Sequence, residues 1–269
     1  MNHSKLSNVT LTIVFTLLAG SSFSQQQTAI DADAIIQKVV EVEARQRSEI
    51  RDVVFDAEYI ELEKDDNGEM KEKLRLEKTV TLTYLNDSVF YDETYNAYYK
   101  NGERMSDDDL AKIAREKTKK KKKRGSRDIS YSILSPFYDK NKEAYSITYL
   151  GVYDTTVSDY LCHQFKVESL TEDKQAINGE FYFDADSFHL VRVDFAPAKK
   201  GGNFFFKMKK LEMSMMFAPD SDGYWFPTRF DITGQGKAMF FIGVSWAGTE
   251  YFRNPRVNTI EAEPVSAQE

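Results

Sequence analysis

Apolar and polar positions alternate along one long segment near the start of the chain. In residues 73–85, the apolar set falls on one side of an extended chain and consists of Leu74, Leu76, Val80, Leu82 and Tyr84. Charged residues and threonines occupy the other side. A period of two is typical of a strand with one buried face. The pattern therefore predicts an antiparallel strand here, preceded by a strand over 52–63 and followed by one over 88–99.

Two other segments have the helical period. In residues 33–51, isoleucines and valines recur at helical spacing, which predicts an amphipathic helix that covers a sheet. In residues 106–124, Ser106 is placed to cap a helix and Asp109 follows three residues later. Aspartates fill the first turn and basic residues the last, as the helix dipole favours. We expect this second helix to be a charged insertion.

The rest of the chain reads as further strands separated by turns. They are expected over 145–152, 160–168, 178–184, 188–196, 203–218, 224–234 and 237–252. Many strands with few helices exclude repeated parallel strand–helix units. The predicted fold is mainly β (α+β): a curved antiparallel sheet that forms a half-open β-barrel, capped by the N-terminal helix and the charged insertion.

Some of these strands are apolar on both sides. The segments 203–218 and 239–246 carry phenylalanines and methionines at neighbouring positions. Such a strand is buried on both faces or lines a ligand space on one, and plain core filling is the alternative for each residue. The candidate set for an apolar cavity is Leu76, Val80, Leu82, Tyr84, Phe206, Met208, Met213, Met215, Phe240 and Ile242.

The N-terminus predicts export. Lys5, an apolar run from Val9 to Ala19 and small residues up to Ser24 are typical of a cleaved signal peptide over 1–24, with an uncleaved anchor or a buried helix as the alternatives. We expect one domain over 25–257, with the helical insertion 106–124 inside it, and a disordered polar tail over 258–269. The expected location is the periplasm, without a lipid anchor or a later membrane-spanning helix, and the expected state is a monomer.

Composition narrows the classes of partner. The net charge of −7 opposes nucleic-acid binding, which needs a basic face. The basic run Lys119, Lys120, Lys121, Lys122, Lys123 and Arg124 is then either a solvated helix end or a contact for an anionic membrane surface or acidic partner.

Catalytic and metal-binding patterns are not evident. Cys162 and His163 are neighbours, and neighbours on a strand point to opposite faces, so they do not form a thiol–imidazole pair. The start of a calcium loop at Asp65 fails because Met70 stands where glycine is required. We therefore predict no enzyme, no cofactor and no bound metal.

Two predicted hairpins have a distinctive sequence. They are "GEFYFDADSFHLVRVDF" (179–195), with a Gly179-to-Asp184 motif, and "YWFPTRFDITGQGKA" (224–238). With the exported start, the N-terminal helix and the long meander, the chain resembles the periplasmic lipoprotein-carrier superfamily, which includes LolA, LolB and RseB. The resemblance implies a half-open barrel that shelters acyl chains of lipids or lipoproteins during outer-membrane trafficking.

A second hypothesis stays open beside the carrier. The same barrel could serve as a non-enzymatic sensor or adaptor that binds an envelope or inner-membrane protein through the barrel and the lysine-rich helix. A carrier requires a large apolar cavity, whereas an adaptor requires a filled barrel and an exposed complementary patch.

Overall fold

The computed structural model describes residues 31–65, 67–85, 88–123, 133–153, 157–171, 173, 176–199, 202–203, 206–238 and 242–259. The predicted signal peptide over 1–24 lies outside these residues. From Ala32 onward, the described residues belong to one compact unit.

Most of this unit is a single antiparallel sheet. Its strands are β1 Asp52–Lys64, β2 Met70–Leu85, β3 Ser88–Lys100, β4 Glu103–Arg104, β5 Tyr145–Val152, β6 Cys162–Ser169, β7 Ile177–Asp184, β8 Leu190–Pro197, β9 Gly202–Asn203, β10 Phe206–Pro219, β11 Trp225–Ala238 and β12 Ile242–Val257. Two α-helices, α1 Ala32–Glu49 and α2 Asp107–Lys123, and two short 3₁₀ helices, Ser135–Phe137 and Asp139–Ala144, complete it.

The strand order shows why the sheet stays open. It runs β4-β3-β2-β1-β12-β11-β10-β8-β7-β6-β5, with β9 paired to β10, so β4 and β5 lie at opposite edges. Strand β12 returns to pair with β1 along most of its length, from Val53–Val257 to Glu63–Trp246. The expected mainly β, curved antiparallel, half-open barrel with helical elements is confirmed.

Several element boundaries differ from the predicted ones. The strand expected from residue 188 begins at Leu190, because Phe188 has a φ of 62°, which a strand does not accommodate. The strand expected over 203–218 is divided into the short β9 and β10. Strand β11 extends to Ala238, four residues beyond the expected end, and β12 begins at Ile242.

The first residues of the predicted tail are ordered. Asn258 donates its backbone N–H to the carbonyl of Asp52 at 2.8 Å, and Thr259 donates its own to the Asp52 carboxylate at 2.9 Å. Asp52 is buried, and the other oxygen of its carboxylate accepts from the Nε of Arg51 at 3.1 Å, so both carboxylate oxygens have donors. The described residues end at Thr259, and the rest of the predicted tail, 260–269, lies outside them.

Helix α1 packs on the part of the sheet formed by β5 to β8. Ile35, Ile36 and Val39 are buried against aromatic residues that include Phe165 and Phe181. A second core cluster lies on β1, β2 and β11, around Phe55, Val80 and Phe226. These clusters belong to different parts of the sheet, and the candidate site is lined by residues that pack against both.

Candidate functional site

A cavity of about 500 Å³ lies between α1 and the inner face of the sheet. Most of its wall is apolar and comes from strands β2, β3, β8, β10, β11 and β12 and from Ile133 and Leu134. The C-terminal half of α1 adds three polar side chains, Glu43, Gln46 and Arg47. The volume lies within the range of about 300–1,000 Å³ that is common for ligand pockets.

The strand register places the wall residues side by side. Leu82 on β2 lies opposite Tyr91 on β3. Met215 on β10 lies opposite Phe230 on β11, which in turn lies opposite Glu250 on β12. Side chains that are opposite each other in an antiparallel pair project from the same face. The alternation in the sequence therefore builds a continuous inner surface from strands that are far apart along the chain.

Three of the ten predicted cavity residues line this space: Leu82, Tyr84 and Met215. Val80 shares their face of β2 but is fully buried in the core cluster around Phe55, and Leu76 is also buried. These two are placed at the inner face as packing residues.

The other predicted residues are placed elsewhere. Met208 and Met213 on β10 are partly buried but are not among the described residues of the cavity wall. Met213 instead borders a separate, more polar depression together with Ser214 and Asp231. The backbones of Phe206 and Ile242 are in strands, but their side chains, like all of Phe240, lie outside the described part of the chain.

Polar side chains of α1 contact residues of the cavity wall. Gln46 donates to the carbonyl of Trp225 at 2.9 Å and accepts from the N–H of Trp225 at 2.8 Å. Arg47 pairs with Glu43 at 2.7 Å and lies over the Tyr84 ring, 5.9 Å from its centroid. Burial lowers the pKa of Arg47, but the attraction of Glu43 outweighs it and the net shift is upward.

His189 is a cavity residue that the candidate set omitted. Its ring stacks on Trp225 with the centroids 5.1 Å apart and the planes 10° from parallel. Burial, with a contribution from the charge of Arg45, lowers the pKa of His189 to about 4. The imidazole is therefore neutral at pH 7 and adds no charge to the wall.

A buried ionic cluster adjoins the cavity. The ammonium group of Lys78 lies 2.8 Å from a Glu93 carboxylate oxygen, 2.9 Å from a Glu250 carboxylate oxygen and 3.0 Å from the Tyr91 hydroxyl. The side chain of Lys78 is only 7% exposed. It crosses over Ala57 of β1, its partner in the register, to reach Glu250 on β12. Tyr91 and Glu250 belong to both the cluster and the cavity wall.

The cluster also contains Tyr95, whose hydroxyl donates to the second oxygen of Glu93. Burial raises the pKa of Tyr91 and of Tyr95, and both remain protonated donors. Burial raises the pKa of Glu93, but the charge of Lys78 and the hydrogen bonds lower it further, so the net shift is downward. The sequence signal for this cluster is Lys78 itself, which occupies an inward position between Leu76 and Val80.

The family of the chain follows from its sequence. A family model described as "Family of unknown function (DUF5686)" matches residues 24–249. The chain belongs to this family. A comparison with curated proteins gave no match.

Solved structures similar to this DUF5686 chain include three bacterial proteins. A putative outer membrane lipoprotein-sorting protein domain from Vibrio parahaemolyticus has 12% identity and a TM-score of 0.37, covering 85% of this chain and 95% of that chain. A DUF1329 family protein from Desulfovibrio piger has 12% identity and a TM-score of 0.39, covering 85% and 94%. A LolA superfamily protein from Nitrosomonas europaea has 9% identity and a TM-score of 0.33, covering 86% and 96%.

These three structures are 9–12% identical to the DUF5686 chain. At TM-scores below 0.5 they say nothing about what the DUF5686 chain binds, and the cavity alone bears on that question. Within the described residues, no helix is long and apolar enough to cross a membrane.

The charged insertion of the DUF5686 chain begins as predicted. Ser106 accepts a hydrogen bond from the Asp109 N–H at 3.2 Å and donates to its carboxylate at 2.6 Å, which forms the expected cap. Lys119 is exposed, the side chains of Lys120 to Lys123 lie outside the described part, and so does Arg124. Contact of this run with an anionic surface stays a prediction.

Cys162 and His163 are separated, as their alternation on β6 implies. Cys162 is fully buried near Tyr182 and Val191, and burial together with the charge of Asp184 raises the pKa of its thiol to about 11. His163 contacts the hydroxyl of Tyr149 through Nδ1 at 3.0 Å. A thiol with this pKa is protonated at pH 7 and is a weak nucleophile.

Proposed function

We propose that the chain is an exported carrier that shelters an acyl chain of a lipid or lipoprotein in the cavity under α1. The observation that supports this most directly is the cavity of about 500 Å³ with a mostly apolar wall. Burial of an acyl chain in such a space is favoured by about 0.8 kcal/mol for each methylene group removed from water. Binding, without a chemical step, is the proposed activity.

The composition of the wall suits a flexible ligand. Met215 supplies a side chain that adapts to irregular shapes, while Phe230 and Phe252 supply broad apolar surfaces. Leu82, Tyr84 and Met215 are the predicted residues that we propose contact the acyl chain.

The cavity favours the carrier over the adaptor. An adaptor with a filled barrel has no need for an apolar space enclosed by a helix and a sheet, whereas a carrier requires one. The proposed location is the periplasm, where an acyl chain in transit between membranes must be shielded from water.

A cavity-filling variant tests this proposal. Leu82→Trp combined with Val89→Phe adds two bulky apolar side chains to the wall, so that the fold is retained while the space is occupied. Binding is measured with a pyrene-labelled long-chain alcohol below its critical micelle concentration. We expect saturable binding by the wild-type protein and a loss of at least about tenfold in the variant, about 1.4 kcal/mol.

The matched control places the same residue types on the outer face of β2, as Thr81→Phe with Thr83→Trp. This control is expected to bind the probe like the wild-type protein. Absence of saturable binding by the wild-type protein would reject the proposal, and so would equal binding by a folded, cavity-filled variant.

A further inference from the structure

The charges on the cavity wall do not cancel. Arg47 and Glu43 neutralise each other at 2.7 Å, and His189 is neutral at pH 7 because its pKa is lowered to about 4. The remaining charged wall residue is Glu250. Its cation, Lys78, is shared with a second carboxylate, that of Glu93. Two carboxylates and one ammonium leave a net charge of −1 at this part of the wall.

The hydrogen bonds show which carboxylate of the cluster can still accept a hydrogen bond from a ligand. Both oxygens of Glu93 accept bonds, one from Tyr95 and the other from Lys78 and Tyr91. Glu250 meets Lys78 and Tyr91 through the same oxygen, Oε1, at 2.9 Å and 3.5 Å. Its other oxygen, Oε2, accepts no hydrogen bond from the residues that the structure describes.

We propose that Glu250 sets the head-group specificity of the cavity. It favours acyl ligands whose polar group is a neutral or cationic hydrogen-bond donor, such as a hydroxyl, an amide N–H or an ammonium. It disfavours carboxylate and phosphate anions. This inference rests on the proposed acyl binding and adds the class of ligand.

Two physical effects act in the same direction. A donor group can bond to a partly buried carboxylate oxygen, and hydrogen bonds to charged groups are the stronger ones. An anion would be placed beside an uncompensated negative charge at a site where the Glu250 side chain is 12% exposed, so water screens the repulsion weakly. An acyl chain that enters as an ester or amide, with no free carboxylate, avoids this repulsion.

The test compares ligands with the same tail. Hexadecylamine, hexadecanol and palmitate are titrated into the wild-type protein at pH 7 below their critical micelle concentrations, by displacement of the pyrene-labelled alcohol. We expect the amine and the alcohol to bind at least about tenfold more tightly than palmitate. Equal affinity for all three, or tighter binding of palmitate, would overturn the inference.

A charge-neutral variant assigns the effect to Glu250. In Glu250→Gln, the preference for the amine over palmitate is expected to shrink by at least about tenfold. Glu250→Asp keeps the charge and is expected to keep the preference. The matched control is Glu58→Gln. Glu58 lies on the neighbouring strand β1, on the face of the sheet opposite to Glu250, and pairs with Arg253. An unchanged preference in a folded Glu250→Gln variant would reject the role of Glu250.

Failure of this inference differs from failure of the proposed function. If hexadecanol binds but the head groups are not distinguished, acyl binding stands and the role of Glu250 is rejected. If none of the three ligands binds, both the acyl-binding function and the role of Glu250 are rejected. If Glu250→Gln does not fold, the ligand series on the wild-type protein and on Glu250→Asp still decides the matter.

Discussion

Lys78 stabilises the sheet by joining strands that are not neighbours. Its ammonium group contacts Glu93 on β3 and Glu250 on β12, and the stem of the side chain passes over Ala57 on β1. Burial of charges is costly unless each charge has a partner. In this cluster the lysine is the partner of both carboxylates.

Replacement of Lys78 by methionine is expected to lower the free energy of unfolding by about 3–5 kcal/mol, because two partly buried carboxylates then lose their cation. Urea unfolding at pH 7 measures the loss. The control is Lys71→Met, since Lys71 is 61% exposed in its pair with Asp65 and should cost less than about 1 kcal/mol. Similar stability of the two variants would contradict this role of Lys78.

His189 predicts a pH dependence of stability. Its folded-state pKa of about 4 lies below the ordinary histidine value of 6.5, so the unfolded chain binds a proton first as the pH falls. Stability is therefore lost between about pH 6.5 and pH 4. Allowing for its partial exposure, we expect a loss of about 2 kcal/mol from this residue.

The variant His189→Phe keeps a ring against Trp225 but cannot be protonated. Free energies of unfolding at pH 6.5 and pH 4.5 should differ less in this variant than in the wild-type protein. His163, whose pKa burial also lowers, is present in both proteins, so the comparison isolates His189. Identical slopes would show that His189 is not held neutral.

At the scale of the elements, alternation in the sequence predicts most strands, because the side-chain period of a strand is a local property. Both α-helices were also predicted, and α1 spans Ala32–Glu49 against an expected 33–51. Boundaries were less accurate where a backbone conformation decides them, as at Phe188 before β8.

Helix α1 covers the cavity, and its docking depends on a few buried side chains. Replacement of Ile35, which is 6% exposed, by alanine is expected to cost about 2–5 kcal/mol. The matched control is Gln37→Ala on the exposed side of the same helix. Chemical unfolding measures both, and equal stabilities would mean that α1 is not held by this contact.

At the scale of the whole molecule, the sheet order and the position of the cavity depend on long-range pairing. The return of β12 to β1, separated by most of the chain, has no local signal in the sequence. For the same reason, Met213 could not be distinguished from Met215 before the fold was known, since both occupy the same side of one strand pattern. Met208 lies on the other side of that pattern, in a segment that is apolar on both sides. Lys78 lies on the apolar side of the pattern, but nothing local in the sequence indicates that Glu93 and Glu250 pair with it, because they come from other strands.

Native mass spectrometry of the protein purified without detergent tests the central claim most directly. Acyl binding in the cavity predicts a bound mass that organic solvent extracts as lipid or acylated peptide and that is reduced in the variant with Leu82→Trp and Val89→Phe. A ligand-free mass, with no uptake of the pyrene-labelled alcohol by the wild-type protein, would contradict it.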